Sequence, residues 1–176
     1  MTTLLNDLAT EAREINAANG WGLTFNPDTN PDQLPAMLAL VTSEVTEAWT
    51  AAKPEKANRE LGDVIVRTLD LGHLIEPGYW AECSHEVCVI GRPDLRADSW
   101  PLSMLQLHTL VSEALEHYRK DGDGWRPGVL NRLHVLVATT WQTMERYHPW
   151  QTPEAVIREI LAANRQRAYR HGGRRL

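Results

Sequence analysis

Two pairs of acidic residues are the part of this sequence best suited to chemistry. Glu44 and Glu47 stand three positions apart, and so do Glu60 and Asp63. Side chains at i and i+3 of a helix share one face, about 5–6 Å apart at Cβ. If the two pairs lie on neighbouring antiparallel helices joined by a short turn, four carboxylates converge on one place.

The position of these acids relative to the apolar residues makes them unusual. Glu44 falls in line with Val41 and Ala48, inside the apolar stripe of its segment, and Asp63 stands beside Val64. Two like charges 4 Å apart repel by about 4 kcal/mol at an effective dielectric constant of about 20. Protonation, basic partners or a divalent cation must therefore offset the repulsion.

Two explanations for the acids stay open at this point. One is a set of structural ion pairs with nearby basic side chains, of which the candidates are Lys53, Lys56, Arg59 and Arg67. The other is a hard cation, because carboxylates without His or Cys nearby favour magnesium, manganese or calcium. Magnesium commonly takes one or two carboxylates and completes its shell with water and substrate phosphates, which predicts phosphate chemistry.

The elements that must position these residues are helices, because the apolar period is helical nearly throughout and no convincing period-2 strand is present. We expect an all-α fold. The predicted helices are Leu4–Ala18, Leu34–Ala52, Pro54 to about Ile75, Ser99 to about Asp121, Pro127–Tyr147, and a sixth that begins at Thr152, runs into the arginine-rich tail and stops near Gly172.

A weak internal sequence repeat predicts two related helical hairpins within one domain that spans residues 1–176. Ser43 and Glu44 align with Ser112 and Glu113, and each motif is followed by a loop and another long helix. With the N- and C-terminal helices, the hairpins form a helical bundle.

Composition restricts the class of protein. The 176 residues are 43% hydrophobic and 23% charged with a net charge of −5, which is typical of one globular domain. We expect no membrane span, no secretion signal and a cytoplasmic location, since no apolar run reaches ~20 residues and only two cysteines occur. Cys83, His85 and Cys88 match no common zinc spacing and are predicted to be core or surface residues.

The charge is unevenly distributed. Five arginines and no acidic residue follow Asn164. An acidic body argues against nucleic acid as a partner, whereas a short basic tail suits phosphate groups.

At these motifs the chain resembles a known family. The strings SEVTEAW and ELGDVIVRTLDL, with twelve residues between Glu47 and Glu60, resemble the E-x-x-E, spacer, E-x-x-D signature of the all-α nucleoside triphosphate pyrophosphohydrolases of the MazG-like superfamily. Asn19-Gly20-Trp21 resembles the family's loop after helix one. The ending NRQRAYRHGGRR resembles the tails of phage-encoded members. The resemblance covers residues 1–76 and about 154–176.

The resemblance implies a function and a site. Residues 1–76 would be the catalytic repeat of a MazG-like bundle that hydrolyses a (deoxy)nucleoside triphosphate to the monophosphate and pyrophosphate. Glu44, Glu47, Glu60 and Asp63 would hold Mg²⁺, or Mn²⁺ in its place. Substrate contacts are implied at Lys53, at Asp70, at Trp21 and Trp49, which would stack on the base or lie in the core, and at the tail residues Asn164, Arg167, Arg170 and His171.

The rest of the chain departs from this pattern. Residues 99–148 keep Glu113 and Glu116 but carry Asn131–His134 where E-x-x-D would stand, which predicts a degenerate second repeat. Residues 152–176 would form the C-terminal helix and basic tail. Family members usually form dimers or tetramers, so we expect a homodimer, or a monomeric pseudo-dimer in which the second repeat replaces a subunit contact. If the chain is phage-encoded, its location is the host cytoplasm.

Two alternatives in function remain. One is a related pyrophosphohydrolase that acts on phosphoribosyl-ATP or a modified nucleotide. The other is a non-catalytic helical module that binds a nucleotide or a protein.

Overall fold

The computed structural model describes residues 3–83, 99–167 and 169, and these residues form six α-helices and two short 3₁₀ helices. The α-helices are α1 (Leu4–Ala18), α2 (Gln33–Thr50), α3 (Pro54–Ile75), α4 (Trp100–Lys120), α5 (Trp125–Tyr147) and α6 (Pro153–Arg165). The 3₁₀ helices are Tyr79–Glu82 and Gly122–Gly124. The all-α class is confirmed for the described residues, while the MazG-like type of bundle stays a prediction.

Local chemistry explains where the helices begin. The Thr3 hydroxyl accepts a hydrogen bond from the Asn6 amide and caps α1, and the Thr152 hydroxyl caps α6 in the same way through Ala155. Pro54 occupies the first turn of α3, where its missing N–H costs nothing.

The sixth helix is shorter than predicted. It ends at Arg165, and Gln166 and Arg167 close its last turn through bonds to the Ala163 and Asn164 carbonyls. Position 168 and positions 170–176, over which the prediction extended the helix, lie outside the described residues.

Helix α3 is the centre of the molecule, because α1, α2, α5 and α6 all pack against it. Gly62 lets α6 approach closely, since a Cβ at this position would lie 2.6 Å from Ile160 Cδ1 and 2.9 Å from Val156 Cγ1. The short turn between α2 and α3 makes these helices an antiparallel hairpin, so the acidic pairs share one end of the bundle.

The second hairpin, α4 and α5, packs on α2 and α3. Its connecting end is tied to the loop after α1 by the Tyr118 hydroxyl, which donates to the Pro27 and Pro31 carbonyls at 3.2 and 3.0 Å, and by an ion pair between Arg126 and Asp28. The predicted repeat relationship between the hairpins stays a prediction.

The cysteine-containing segment and the predicted absence of a membrane span can be compared with the structure in part. Cys83 is buried, as expected of a core residue, whereas His85 and Cys88 lie outside the described residues. In the part of the chain that the structure describes, no helix is long and apolar enough to cross a membrane.

Candidate metal centre

Three of the four predicted acids meet between α2 and α3. Glu44, Glu47 and Glu60 each present a carboxylate oxygen, and these oxygens lie within 4.8 Å of one another. Glu44 and Glu60 are buried, with 7% and 9% of their surface exposed, whereas Glu47 is exposed. We call these three residues the glutamate cluster.

Asp63 lies one turn after Glu60 and outside that group of three. Burial, and next the Glu44 carboxylate, raises the pKa of Asp63 to about 6, and the guanidinium groups of the nearby arginines oppose the shift. Asp63 is therefore electrostatically part of the same acidic region, although its carboxylate does not join the cluster.

Basic side chains contact the cluster, as the ion-pair explanation predicts. Arg67 binds Glu44 through Nε at 2.7 Å and Nη2 at 2.6 Å, and Lys56 Nζ lies 3.9 Å from Glu60. These cations do not neutralise the site. Burial, followed by the charges of the neighbouring carboxylates, still raises the pKa of Glu60 to about 7.

This excess of negative charge fits a hard divalent cation. Oxygens on opposite sides of Mg²⁺ are about 4.2 Å apart, given Mg–O distances of about 2.1 Å. The oxygens of the glutamate cluster lie within 4.8 Å of one another, a separation of the same order. The donor set contains carboxylates alone, which suits Mg²⁺ or Mn²⁺.

Asp70 belongs to a buried polar network that sequence reasoning missed. Arg13 Nη1 lies 2.9 Å from Asp70 Oδ1, and Asn16 Nδ2 donates to Asp70 Oδ2 at 2.8 Å. Burial raises the pKa of Asp70 to about 6 despite these partners. The sequence signal for these partners is the three-residue spacing of Arg13 and Asn16, which places both side chains on one face of α1. Contact between Asp70 and substrate stays a prediction.

The other residues predicted to contact the substrate outside the tail lie in different parts of the structure. Lys53 is exposed and occupies the position just before α3, at the turn of the hairpin. Trp49 is 45% exposed, so the alternative that it lies in the core is wrong. Trp21 is half-buried, and its carbonyl accepts a hydrogen bond from Arg13 Nη2.

The structure describes only some of the tail residues that were predicted to contact the substrate. The Asn164 carbonyl accepts a hydrogen bond from Asn19 Nδ2 at 3.0 Å, in a buried position between α6 and the loop after α1. Arg167 is exposed, and its charge acts on Asp63. Arg170 and His171 lie outside the described residues.

A cavity of about 240 Å³, which the sequence did not reveal, lies between the loop after α1 and the first half of α2. Phe25, Ala36 and Met37 provide apolar walls, and Asn30 and Asp32 provide polar groups. Met37 precedes Glu44 by seven residues, which is about 10 Å along a helix.

The second hairpin neutralises its acids within itself. Arg132 Nε lies 3.1 Å from Glu113 Oε2. Hydrogen bonds from Arg119, and then from Lys120, lower the pKa of the exposed Glu116 to about 2. The predicted degenerate second repeat stays a prediction.

Comparison of the chain with protein-family models, with curated proteins and with solved structures finds no match. The family resemblance therefore stays a prediction.

Proposed function

We propose that this protein is a magnesium-dependent pyrophosphohydrolase that converts a (deoxy)nucleoside triphosphate to the monophosphate and pyrophosphate. One observation carries the proposal: the three carboxylates of the glutamate cluster lie within 4.8 Å of one another and stay undercompensated, with the pKa of Glu60 at about 7. Such a cluster is costly unless a cation binds there, and perturbed carboxylates of this kind are typical of functional sites.

Glu44, Glu47, Glu60 and the adjacent Asp63 are the residues that would hold Mg²⁺, or Mn²⁺. A bound cation of this kind neutralises phosphate charge and lowers the pKa of a water molecule.

The chain's own residues divide the remaining work. Glu47 is exposed and is the carboxylate best placed to orient an incoming water and accept its proton. Glu44 is fixed by Arg67 and serves to position the ligands around it. The water oxygen bonds to the α-phosphorus, the bond from that phosphorus to the α–β bridging oxygen breaks, and pyrophosphate leaves.

Two basic side chains and a cavity are assigned to the substrate. Arg167 acts on Asp63, and Lys53 lies at the turn of the hairpin, so both are assigned to the phosphates. The cavity beside Phe25 and Met37 is assigned to the base, because it lies about two helical turns from Glu44. Stacking of the base on Trp21 or Trp49 is the alternative placement.

The proposal is tested by pyrophosphate release from the common ribo- and deoxyribonucleoside triphosphates, with Mg²⁺ and with chelator. We expect Mg²⁺-dependent release that is reduced at least 100-fold in Glu60→Gln. Glu116→Gln is the matched control, since it makes the same change in the second hairpin, and it should retain activity. Absence of release from every substrate by the folded protein would contradict the proposal, and the same assay with phosphoribosyl-ATP would then test the related reaction.

A further inference from the structure

The last turn of α6 and the residue Tyr169 beyond it contact the end of α1 and the loop after it at two points among the described residues. The first is the buried hydrogen bond from Asn19 Nδ2 to the Asn164 carbonyl, at 3.0 Å. The second is the ring of Tyr169, which lies directly on Gly20. Arg167 stands between these two attachments in the sequence.

The contact of Tyr169 with Gly20 depends on the absence of a side chain. A Cβ at Gly20 would lie 2.5 Å from Tyr169 Cε2 and Cζ and 2.8 Å from its hydroxyl, closer than atoms of this kind approach. Gly20 also has a φ of +84°, which favours glycine. Gly78 has a similar φ of +88°, yet a Cβ there would meet nothing within 4 Å. A substitution at Gly78 therefore tests the effect of a positive φ alone, whereas a substitution at Gly20 also disturbs the contact with Tyr169.

The two attachments restrict where Arg167 can lie. Its amide donates to the Asn164 carbonyl at 3.1 Å, so its backbone is fixed to the same residue that Asn19 holds. Ile160 and Val156 of α6 lie against Gly62, the residue before Asp63, so the end of α6 that leads to Arg167 runs beside the acidic region of α3. A long arginine side chain loses conformational freedom when it is ordered, and a segment that is already held in place lowers the further cost of binding.

We infer that the packing of Tyr169 on Gly20, together with the Asn19–Asn164 hydrogen bond, positions Arg167 on the Asp63 side of the acidic region to bind the phosphates of the substrate. This inference depends on the proposed function. Gly20 and Tyr169 are positioning residues: they act through Arg167 and do not touch the reacting atoms.

The contact is tested first without reference to activity, by the rate at which trypsin cleaves after Arg167. Gly20→Ala and Tyr169→Ala should each accelerate this cleavage at least threefold. The double variant should cleave no faster than Tyr169→Ala, because both changes remove one contact. Gly78→Ala, the control for strain at a positive φ, should cleave at the wild-type rate. Tyr169 is 61% exposed, so Tyr169→Ala is expected to fold even if Gly20→Ala does not.

The positioning role is tested on the same variants by the KM for the best triphosphate and the Kd for inorganic pyrophosphate with Mg²⁺. We expect both constants to rise three- to tenfold in Gly20→Ala and Tyr169→Ala, with kcat changed less than twofold. Arg167→Gln should raise them by at least as much, and adding Tyr169→Ala to it should have no further effect.

The results that would overturn the contact, the positioning role and the proposed function can be distinguished. Unchanged trypsin rates in both variants would overturn the contact itself. Faster cleavage with unchanged KM and Kd, in a protein that hydrolyses triphosphates, would overturn the positioning role and leave the proposed function standing. A folded wild type that neither hydrolyses triphosphates nor binds pyrophosphate would overturn the function and, with it, the role of Arg167.

Discussion

The Arg67 guanidinium holds the buried Glu44 carboxylate through two contacts to a single oxygen, Oε1, from Nε at 2.7 Å and from Nη2 at 2.6 Å. The same carboxylate contributes an oxygen to the glutamate cluster. The pair thus combines a structural contact with a candidate ligand on one side chain, which is why the ion-pair and metal explanations are compatible.

Removal of Arg67 should destabilise the metal-free protein. Arg67→Met keeps most of the aliphatic stem but leaves Glu44 buried without its partner, and loss of one partner of a buried pair is costly. Because 38% of the Arg67 side chain is exposed, we expect only about 1–2 kcal/mol. Chemical denaturation with chelator measures this change.

The cation should then recover part of that loss. Mg²⁺ replaces the missing positive charge, so it should stabilise Arg67→Met more than it stabilises the wild type. Arg132→Met, which breaks the corresponding Glu113–Arg132 pair of the second hairpin, is the control and should gain nothing extra from Mg²⁺. Equal stabilisation of both variants would argue against a cation at Glu44.

Ionisation of Glu60 and Asp63 should destabilise the chelated protein as the pH rises from about 5 to 8. The pKa values of Glu60 and Asp63 are raised to about 7 and about 6 in the folded state, from 4.5 and 3.8. The folded state then binds more protons than the unfolded state in this range, so the stabilisation present at low pH is lost as each group ionises. The free energy of unfolding, measured across this range with chelator, checks the sign.

Glu60→Gln should reduce that pH dependence, because it removes a site carboxyl whose pKa is raised to about 7. At pH 8 it should also make the chelated protein more stable than the wild type, since a neutral side chain replaces a repelled charge. A variant that is both more stable and inactive is the behaviour of a functional acid. A Glu60→Gln protein that is less stable at pH 8 would contradict this interpretation.

Asp70 should behave as a structural residue of the α1–α3 contact. Its side chain is 3% exposed, and Arg13, at 14%, is its ion-pair partner. Asp70→Ala leaves the arginine buried without that partner, so we expect a loss of about 3 kcal/mol. The midpoint of the Mg²⁺-induced thermal shift should stay within a factor of two of the wild type. Full stability combined with lost turnover would instead support the predicted contact with substrate.

Close packing of α6 on α3 should be sensitive to a single methyl group. A Cβ at Gly62 would meet Ile160 Cδ1 and Val156 Cγ1 at 2.6 and 2.9 Å, and overpacking of this kind costs about 1–3 kcal/mol. Gly124→Ala, where a Cβ would meet nothing within 4 Å, is the control for a change of glycine to alanine. Equal melting temperatures for Gly62→Ala and the wild type would show that α6 can move away freely.

The sequence predicted the helices well where local signals were strong. Helices α1 and α3 have the predicted bounds, because apolar periodicity, Pro54 and the loop residues agree. Helix α5 begins at Trp125, two residues before the prediction, since Pro127 sits in its first turn and does not have to start it.

Features that depend on tertiary contacts were beyond the sequence. The convergence of Glu44 with Glu60 followed from i, i+3 spacing and a short turn, but the omission of Asp63 from the cluster depends on side-chain reach. The partners of Asp70 and the ring of Tyr169 on Gly20 join residues far apart in the chain. No periodicity encodes such pairs.

The proposed reaction is tested most sharply by hydrolysis of a triphosphate in ¹⁸O-labelled water with Mg²⁺, followed by mass analysis of both products. We expect one ¹⁸O atom in the nucleoside monophosphate and none in pyrophosphate, with no reaction in chelator and none in Glu60→Gln. Label in pyrophosphate, release of a diphosphate and inorganic phosphate, or equal turnover by Glu60→Gln would contradict it.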